Sequence, residues 1–97
     1  MYVIKFKHKV YPIGTSYGTT LPKEIVEAIR IGEYVWVKVK DGKVLVSKEP
    51  IEGFMPRKVI RRNGTTCITL PRSFIRKLKK NQVYIYLEDK YIVIEAN

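Results

Sequence analysis

The sequence predicts a mainly β protein with two short helices, assembled from two tandem strand–helix–strand–strand units. Three observations predict it. The chain repeats itself: Thr20-Leu21-Pro22-Lys23 returns 49 positions later as Thr69-Leu70-Pro71-Arg72. Proline opens each of the two stretches with helical periodicity, where its fixed φ and missing N–H suit a helix start. Each such stretch is followed by alternating apolar and polar residues around a turn signal, the pattern of a hairpin.

The repeat runs through both halves. The same offset aligns Lys9-Val10 with Lys58-Val59, Ile25-Val26 with Phe74-Ile75, and Ile29 with Leu78. Dropping one residue aligns Val35-Trp36-Val37 with Val83-Tyr84-Ile85, Asp41 with Asp89, and Val44-Leu45-Val46 with Ile92-Val93-Ile94. A unit of about 45 residues rarely buries enough apolar surface to fold alone. In a chain of 97 residues, 45% of them hydrophobic, the halves are therefore expected to share one core. The expected division is 1–49 for the first unit, 50–56 for a connector and 57–97 for the second, all within one structural domain.

Each unit opens with a short strand, near Lys7 to Tyr11 and near Lys58 to Arg62. The very start, Met1 to Lys7, alternates polar and apolar residues, is too short and charged for a signal peptide, and reads as strand. Bends follow at Ile13 to Gly18 and at Asn63-Gly64-Thr65-Thr66, where glycine and asparagine supply the needed backbone freedom. Thr19 to Leu21 and Cys67 to Leu70 read as second extended pieces. The helices are expected over Pro22–Ile29 and Pro71–Lys79, with Ile25, Val26 and Ile29 on one face and Phe74, Ile75 and Leu78 on the other copy's face. Two turns cannot hold themselves in water, so both must dock by those faces. Gly32 and Asn81 are the expected stops.

The closing hairpins put Val35, Val37 and Val39 inward in one copy and Val83, Ile85 and Leu87 in the other. Asp41-Gly42 suits a two-residue turn. Asp89-Lys90 lacks the glycine and should bend differently. Trp36, Tyr84 and Tyr86 then lie on the opposite face; packing under a helix or against the other half is the simplest expectation, with a dimer surface or stacking of single-stranded nucleic acid as the alternatives. The connector carries two prolines and a glycine but also Ile51, Phe54 and Met55, too apolar to hang free.

Charge is the strongest functional signal. Nineteen Lys and Arg against nine Asp and Glu give a net charge of +10. The excess is uneven: between Arg57 and Lys80 lie nine basic residues and no acidic one. A solubilising surface mixes signs; a one-sided run is drawn to a polyanion. No apolar run approaches the roughly 20 residues of a spanning helix, and the expected setting is cytoplasmic.

Enzyme chemistry finds no footing. With one histidine and one cysteine, no zinc cluster can form within the chain. His8 beside Cys67 would make a nucleophile and base, but a strand-borne thiol is far more often inert packing. No glycine-rich phosphate loop is followed by Lys-Ser or Lys-Thr. The expectation is no enzyme, no metal and no cofactor.

The segment Lys9 to Ile25, with Gly18-Thr19-Thr20-Leu21-Pro22-Lys23-Glu24-Ile25 before a valine-rich hairpin, resembles the AbrB/MazE/SpoVT family. The second copy, Arg62-Asn63-Gly64-Thr65-Thr66-Cys67-Ile68-Thr69-Leu70-Pro71-Arg72, resembles it more closely. The resemblance covers nearly the whole chain, twice. It implies a swapped-hairpin β-barrel in which two units interleave, here as a single-chain pseudo-dimer or by exchange of halves in a homodimer. It also implies sequence-specific binding of double-stranded DNA, transcription regulation and association with the nucleoid. Carried over by position, the DNA-contact residues are Lys9, Lys23, Lys58, Arg61, Arg62, Arg72 and Arg76.

Copy one departs from the pattern, with Tyr11-Pro12-Ile13 where copy two has Ile60-Arg61-Arg62, and Glu27 where copy two has Arg76. The second copy is therefore expected to carry most of the contact. Threonines 15, 65 and 66 are expected to help position the DNA backbone. The rival functions are an antitoxin partnered with a toxin and a general architectural nucleic-acid-binding protein. Such antitoxins usually carry an extended, often acidic tail, and the chain closes on Glu95-Ala96-Asn97.

Overall fold

The computed structural model describes residues 3–97. Nine strands form one antiparallel sheet that curls into a nearly closed barrel, with two short helices on it. In chain order the elements are β1 (Phe6–Ile13), β2 (Ser16–Thr20), α1 (Lys23–Ile29), β3 (Tyr34–Lys40), β4 (Lys43–Ser47), β5 (Met55–Lys58), β6 (Ile60–Arg62), β7 (Thr65–Thr69), α2 (Arg72–Ile75), β8 (Gln82–Glu88) and β9 (Tyr91–Ala96). The order across the sheet is β5-β3-β4-β9-β8-β1-β2-β7-β6. Its two outer strands, β5 and β6, are separated only by Val59, so one continuous segment returns the sheet nearly onto itself.

The pairing crosses between the halves. Hairpin β3–β4 pairs with β5 of the second half, Val37 opposite Met55 and Tyr34 opposite Lys58. Hairpin β8–β9 pairs with β1 of the first half, Ile85 opposite Phe6 and Gln82 opposite Lys9. The two registers superpose under the repeat offset, and so do the two meetings of like with like. The β2–β7 pair centres on Thr19 opposite Ile68, and β4–β9 on Leu45 opposite Val93. One internal two-fold relation therefore runs through the barrel.

The core follows the same relation. Val35, Val37, Val44 and Val46 from one half meet Val83, Ile85, Ile92 and Ile94 from the other in a single cluster. Ile25 of α1 and Phe74 of α2 dock into that cluster, as helices too short to stand alone require. At the two-fold centre the residues differ: Ile68 is apolar, whereas Thr19 donates its hydroxyl hydrogen to the Lys9 carbonyl at 2.9 Å. A buried hydroxyl is tolerated there because it is satisfied.

Several boundaries differ from the sequence reading. Strand is assigned from Phe6, so Val3 to Lys5 lie outside it, and Met1 and Tyr2 fall outside the described residues. Pro22 and Pro71 are not the first helical residues; with ψ of 136° and 140° they keep extended backbone and act as N-caps. Their carbonyls accept the first helical hydrogen bonds, from Ile25 and Val26 and from Phe74 and Ile75. Helix α1 stops at Arg30, in the left-handed region at φ 60°, before Gly32 is reached. Helix α2 is a single turn, well short of Lys79. The acid-free run Arg72, Arg76, Lys77, Lys79, Lys80 has no carboxylate to offset charge along a longer helix.

The connector closes earlier than expected, because Met55 and Pro56 already belong to β5. Phe54 stacks on Tyr91 with ring centroids 5.9 Å apart, which holds it to the sheet, but Met55 is 67% exposed rather than packed. Val39 is also exposed, since β5 ends its pairing at Val37 and leaves the hairpin end uncovered. In the Asp41-Gly42 turn both residues have positive φ, whereas in Asp89-Lys90 only Asp89 does, the different bend that the missing glycine predicts.

Of the three outward aromatics, Tyr86 is buried. Lys5 lies 4.8 Å from its ring centroid, and Lys43 donates to its hydroxyl at 3.3 Å. Both lysines also reach Glu95, at 2.7 and 3.6 Å. Burial pushes the Glu95 carboxyl up, but the hydrogen bonds and positive fields of Lys5 and Lys43 outweigh it and hold the group below its usual range. The stability this gives is present above the ordinary glutamate range and is lost as pH falls through the lowered value. Glu95→Gln should therefore lower the melting temperature slightly at neutral pH. The gap to the parent protein should close as the pH falls into the acid range in a melting series.

Candidate nucleic-acid interface

The expected contact residues lie on the strands and helix starts around the β2–β7 side of the barrel. Lys9 stands at the point where β1 leaves β8 and turns to pair with β2. Lys58 and Arg62 flank Val59, Ile60 and Arg61 on the continuous β5–β6 segment. With Val59 buried, alternation puts both basic side chains on the opposite face, and both are exposed. Lys23 and Arg72 are the first residues of α1 and α2, and Arg76 caps the end of α2; all three are exposed. Lys23 spends part of its charge on Glu27, 4.0 Å away on the next turn.

Arg61 has a different position. Its Nη2 donates to the carbonyls of Ile31 and Gly32 at 2.9 and 3.1 Å, and its Nη1 donates to Thr66 Oγ1 at 3.3 Å. It ties the second half's turn to the joint between α1 and β3 of the first half. The adjacent bond from Val59 N–H to the Glu33 carbonyl, 2.8 Å, lies in the same seam. Hydrogen bonds from a charged donor stabilise by about 1.5–3 kcal/mol each, less where water competes. Arg61→Ala is thus expected to cost about 1–2 kcal/mol of stability. Arg62→Ala, whose guanidinium makes no such bond among the described residues, should leave the melting temperature nearly unchanged. Chemical denaturation of the two variants checks this; equal losses would contradict the assigned role of Arg61.

The threonines divide in the same way. Thr65 donates its hydroxyl to the Arg62 carbonyl at 2.6 Å, closing the Asn63-Gly64 turn, and Thr66 is buried. Thr15 stays exposed on its turn. Each Leu-Pro step is tied to the other half's turn: Leu21 N–H donates to the Thr66 carbonyl at 2.8 Å, and Leu70 N–H to the Tyr17 carbonyl at 2.9 Å. The loops beside the basic residues are held by backbone as well as by side chains.

One basic residue of the charge run was not singled out in the sequence reading. Arg57 is half-buried and donates from Nη1 to Thr69 Oγ1 at 2.9 Å. Its repeat partner is His8, which donates from Nδ1 to the Thr20 carbonyl. The signal was the offset of 49 itself, which places an arginine where the first copy has an imidazole. Among the described residues, ion pairs join only Lys5, Lys23 and Lys43 to carboxylates, so Arg57, Arg62, Arg72 and Arg76 carry uncompensated charge.

Cys67 and His8 bond to different partners, His8 through Nδ1 to the Thr20 carbonyl and Cys67 to the Tyr11 hydroxyl. Cys67 is buried with its Sγ 3.1 Å from the Tyr11 hydroxyl, which also bonds to Thr20 Oγ1. Burial, and then the bond to Cys67, push the Tyr11 phenol up. Among the described residues, no helix is long and apolar enough to cross a membrane. Compared with protein-family models, curated proteins and solved structures, the chain has no significant match in any of the three.

Proposed function

We propose that this chain is a non-enzymatic, sequence-specific double-stranded DNA-binding protein. In this reading it is a transcriptional regulator of AbrB-like type, built as a single-chain counterpart of a swapped-hairpin dimer. The carrying observation is the acid-free basic run from Arg57 to Lys80, presented on β5, β6, α2 and the segment after it, with none of its arginines paired to a carboxylate among the described residues. Unpaired cations on a rigid scaffold neutralise phosphates and release counterions, the main source of affinity for duplex DNA. Exposed arginines on the same elements have the fork geometry to read guanine edges in the major groove. The crossed pairing of β3–β4 with β5 and of β8–β9 with β1 supports the swapped-hairpin reading.

The test is a mobility-shift titration over a salt series with the full chain. Binding should weaken linearly in log salt, and the double substitution Arg62→Ala/Arg76→Ala should reduce the slope by about two units, since each neutralised phosphate adds about 0.9. Competition with unrelated duplex and with RNA separates a regulator from a general architectural protein. A slope that does not respond to these arginines would sink the proposal.

A further inference from the structure

The internal two-fold gives the barrel two equivalent grooves. In each, the first strand and helix start of one half face the turn of the other half. One is lined by His8, Leu21, Lys23 and Val26 against Gly64–Thr66. The other is lined by Arg57, Leu70, Arg72 and Ile75 against Thr15–Tyr17; it is equivalent in position but smaller, about 290 Å³ against about 590 Å³. The repeat offset carries each of these residues onto its counterpart.

Their charges differ. The His8 groove also holds Glu24, Glu27, paired with Lys23, and Arg61, whose guanidinium is bonded to Thr66 and to the carbonyls of Ile31 and Gly32. At the equivalent places the second half has Ser73 and Arg76, and among the described residues no carboxylate lines the Arg57 groove. Arg57 uses Nη1 on Thr69 and has no carboxylate partner among the described residues. A guanidinium has five N–H donors in a fixed fork, so most of its donors remain unspent. Burial without a counter-ion pushes its pKa down, yet an arginine stays charged in any ordinary buffer. A half-buried cation with free donors, beside a second arginine and three hydroxyl-bearing residues, matches a phosphate oxyanion.

We propose that the Arg57 groove is a phosphate seat that takes one backbone phosphodiester of duplex DNA, while Glu24 and Glu27 close the His8 groove to phosphate. The barrel then engages DNA through one of its two equivalent edges and selects a site without two-fold symmetry. A symmetric dimer reads a palindrome because its halves are the same; here the matching groove offsets Lys23 and Arg61 with Glu24 and Glu27, whereas the Arg57 groove is purely cationic. This inference rests on the DNA-binding reading above.

The experiment measures duplex affinity by fluorescence anisotropy over a salt series at about pH 8, where a free histidine is neutral. Arg57→His installs the residue of the equivalent position, and Arg57→Lys keeps the cation. His8→Arg/Glu24→Ser/Glu27→Arg rebuilds the first groove as a copy of the second. Arg57→His should lower the log–log slope by about one and Arg57→Lys should retain it. The triple variant should raise the slope by about one or more and extend the hydroxyl-radical footprint to a second edge. Should Arg57→His fail to fold, Arg72→Ser on the exposed wall of the same groove is expected to give the same fall in slope.

An unchanged slope in Arg57→His, or in Arg72→Ser, with duplex still bound overturns the seat and leaves the DNA reading intact. Tighter binding of RNA than of duplex DNA overturns the assigned source. If the parent protein binds no duplex, the DNA reading fails, and titration of inorganic phosphate followed by amide NMR decides the seat. Shifts at Thr15–Tyr17 but not at Gly64–Thr66 would assign it to a free phosphate group, and no shifts would overturn it.

Discussion

Replacing Gly18 by alanine is expected to destabilise the barrel by about 3 kcal/mol or more, beyond the usual cost of overpacking. A Cβ on Gly18 would lie 2.2 Å from the Ile68 carbonyl oxygen and 2.7 Å from Cδ1 of Ile13. The side chain of Ile13 can rotate away. The carbonyl cannot, because Ile68 is fully buried at the two-fold centre, opposite Thr19 in the β2–β7 ladder. Relief requires the two strands to part where the halves meet. For a domain of this size the loss corresponds to a fall of roughly 12 °C or more in Tm. Gly32→Ala is the control, since nothing lies within 4 Å of its added Cβ. It should be neutral, or stabilising by about 0.4–1 kcal/mol through the unfolded chain. Parallel melts of the two variants decide the matter, and similar Tm values would contradict the close approach.

Cutting the chain into 1–49 and 50–97 is expected to abolish folding of each piece as a monomer, and mixing them in equal amounts should restore it. Every strand of the first half loses a partner in the cut: β1 loses β8, β2 loses β7, β3 loses β5 and β4 loses β9. The apolar cluster is drawn equally from both pieces, so neither retains a closed interior. The buried fraction available to about 50 residues is too small to offset their chain entropy. The single tryptophan, Trp36, pairs opposite Pro56 of the other fragment, so its fluorescence reports recombination directly. A cooperative melt of 1–49 at monomeric mass would show that the shared core is dispensable. Recombination would also provide a hybrid in which either groove is altered on its own fragment.

What the sequence alone made legible was whatever local chemistry enforces. Asn63-Gly64 and Asp41-Gly42 adopt positive φ because few other pairs accept it, and both turns lie where their sequences put them. The alternation of Val35, Val37, Ile85 and Val83 against polar neighbours identified the buried face correctly. The prolines marked the helix starts to within one residue, but a fixed φ near −60° serves an N-cap as well as a first helical position, and ψ decides between them. Val39 and Met55 were misjudged because apolar character says what can be buried; whether a neighbouring strand reaches far enough to bury it is a matter of register.

The candidate interface was legible as a charge run and poorly legible as individual roles. Arg61 and Arg62 are adjacent and alike in sequence, yet one binds the backbone carbonyls of Ile31 and Gly32 and the other is free of such bonds among the described residues. A strand alternates its side chains between faces, so neighbours meet different surroundings. Arg57 was counted in the charge run but not singled out, because burial, which makes its charge uncommon, is a property of position rather than of type.

By itself, the amino-acid sequence determined the duplication, the elements of each unit and their order, the turn positions and the concentration of positive charge in the second copy. These are set by backbone sterics, periodicity and composition, which act over a few residues. Only the tertiary structure decided that each hairpin pairs with the opposite half, that Gly18 must lack a side chain, and that two equivalent grooves carry unlike charge. Those outcomes depend on distances between residues about 50 positions apart, and such distances arise only when the sheet curls and its hydrogen bonds choose a register.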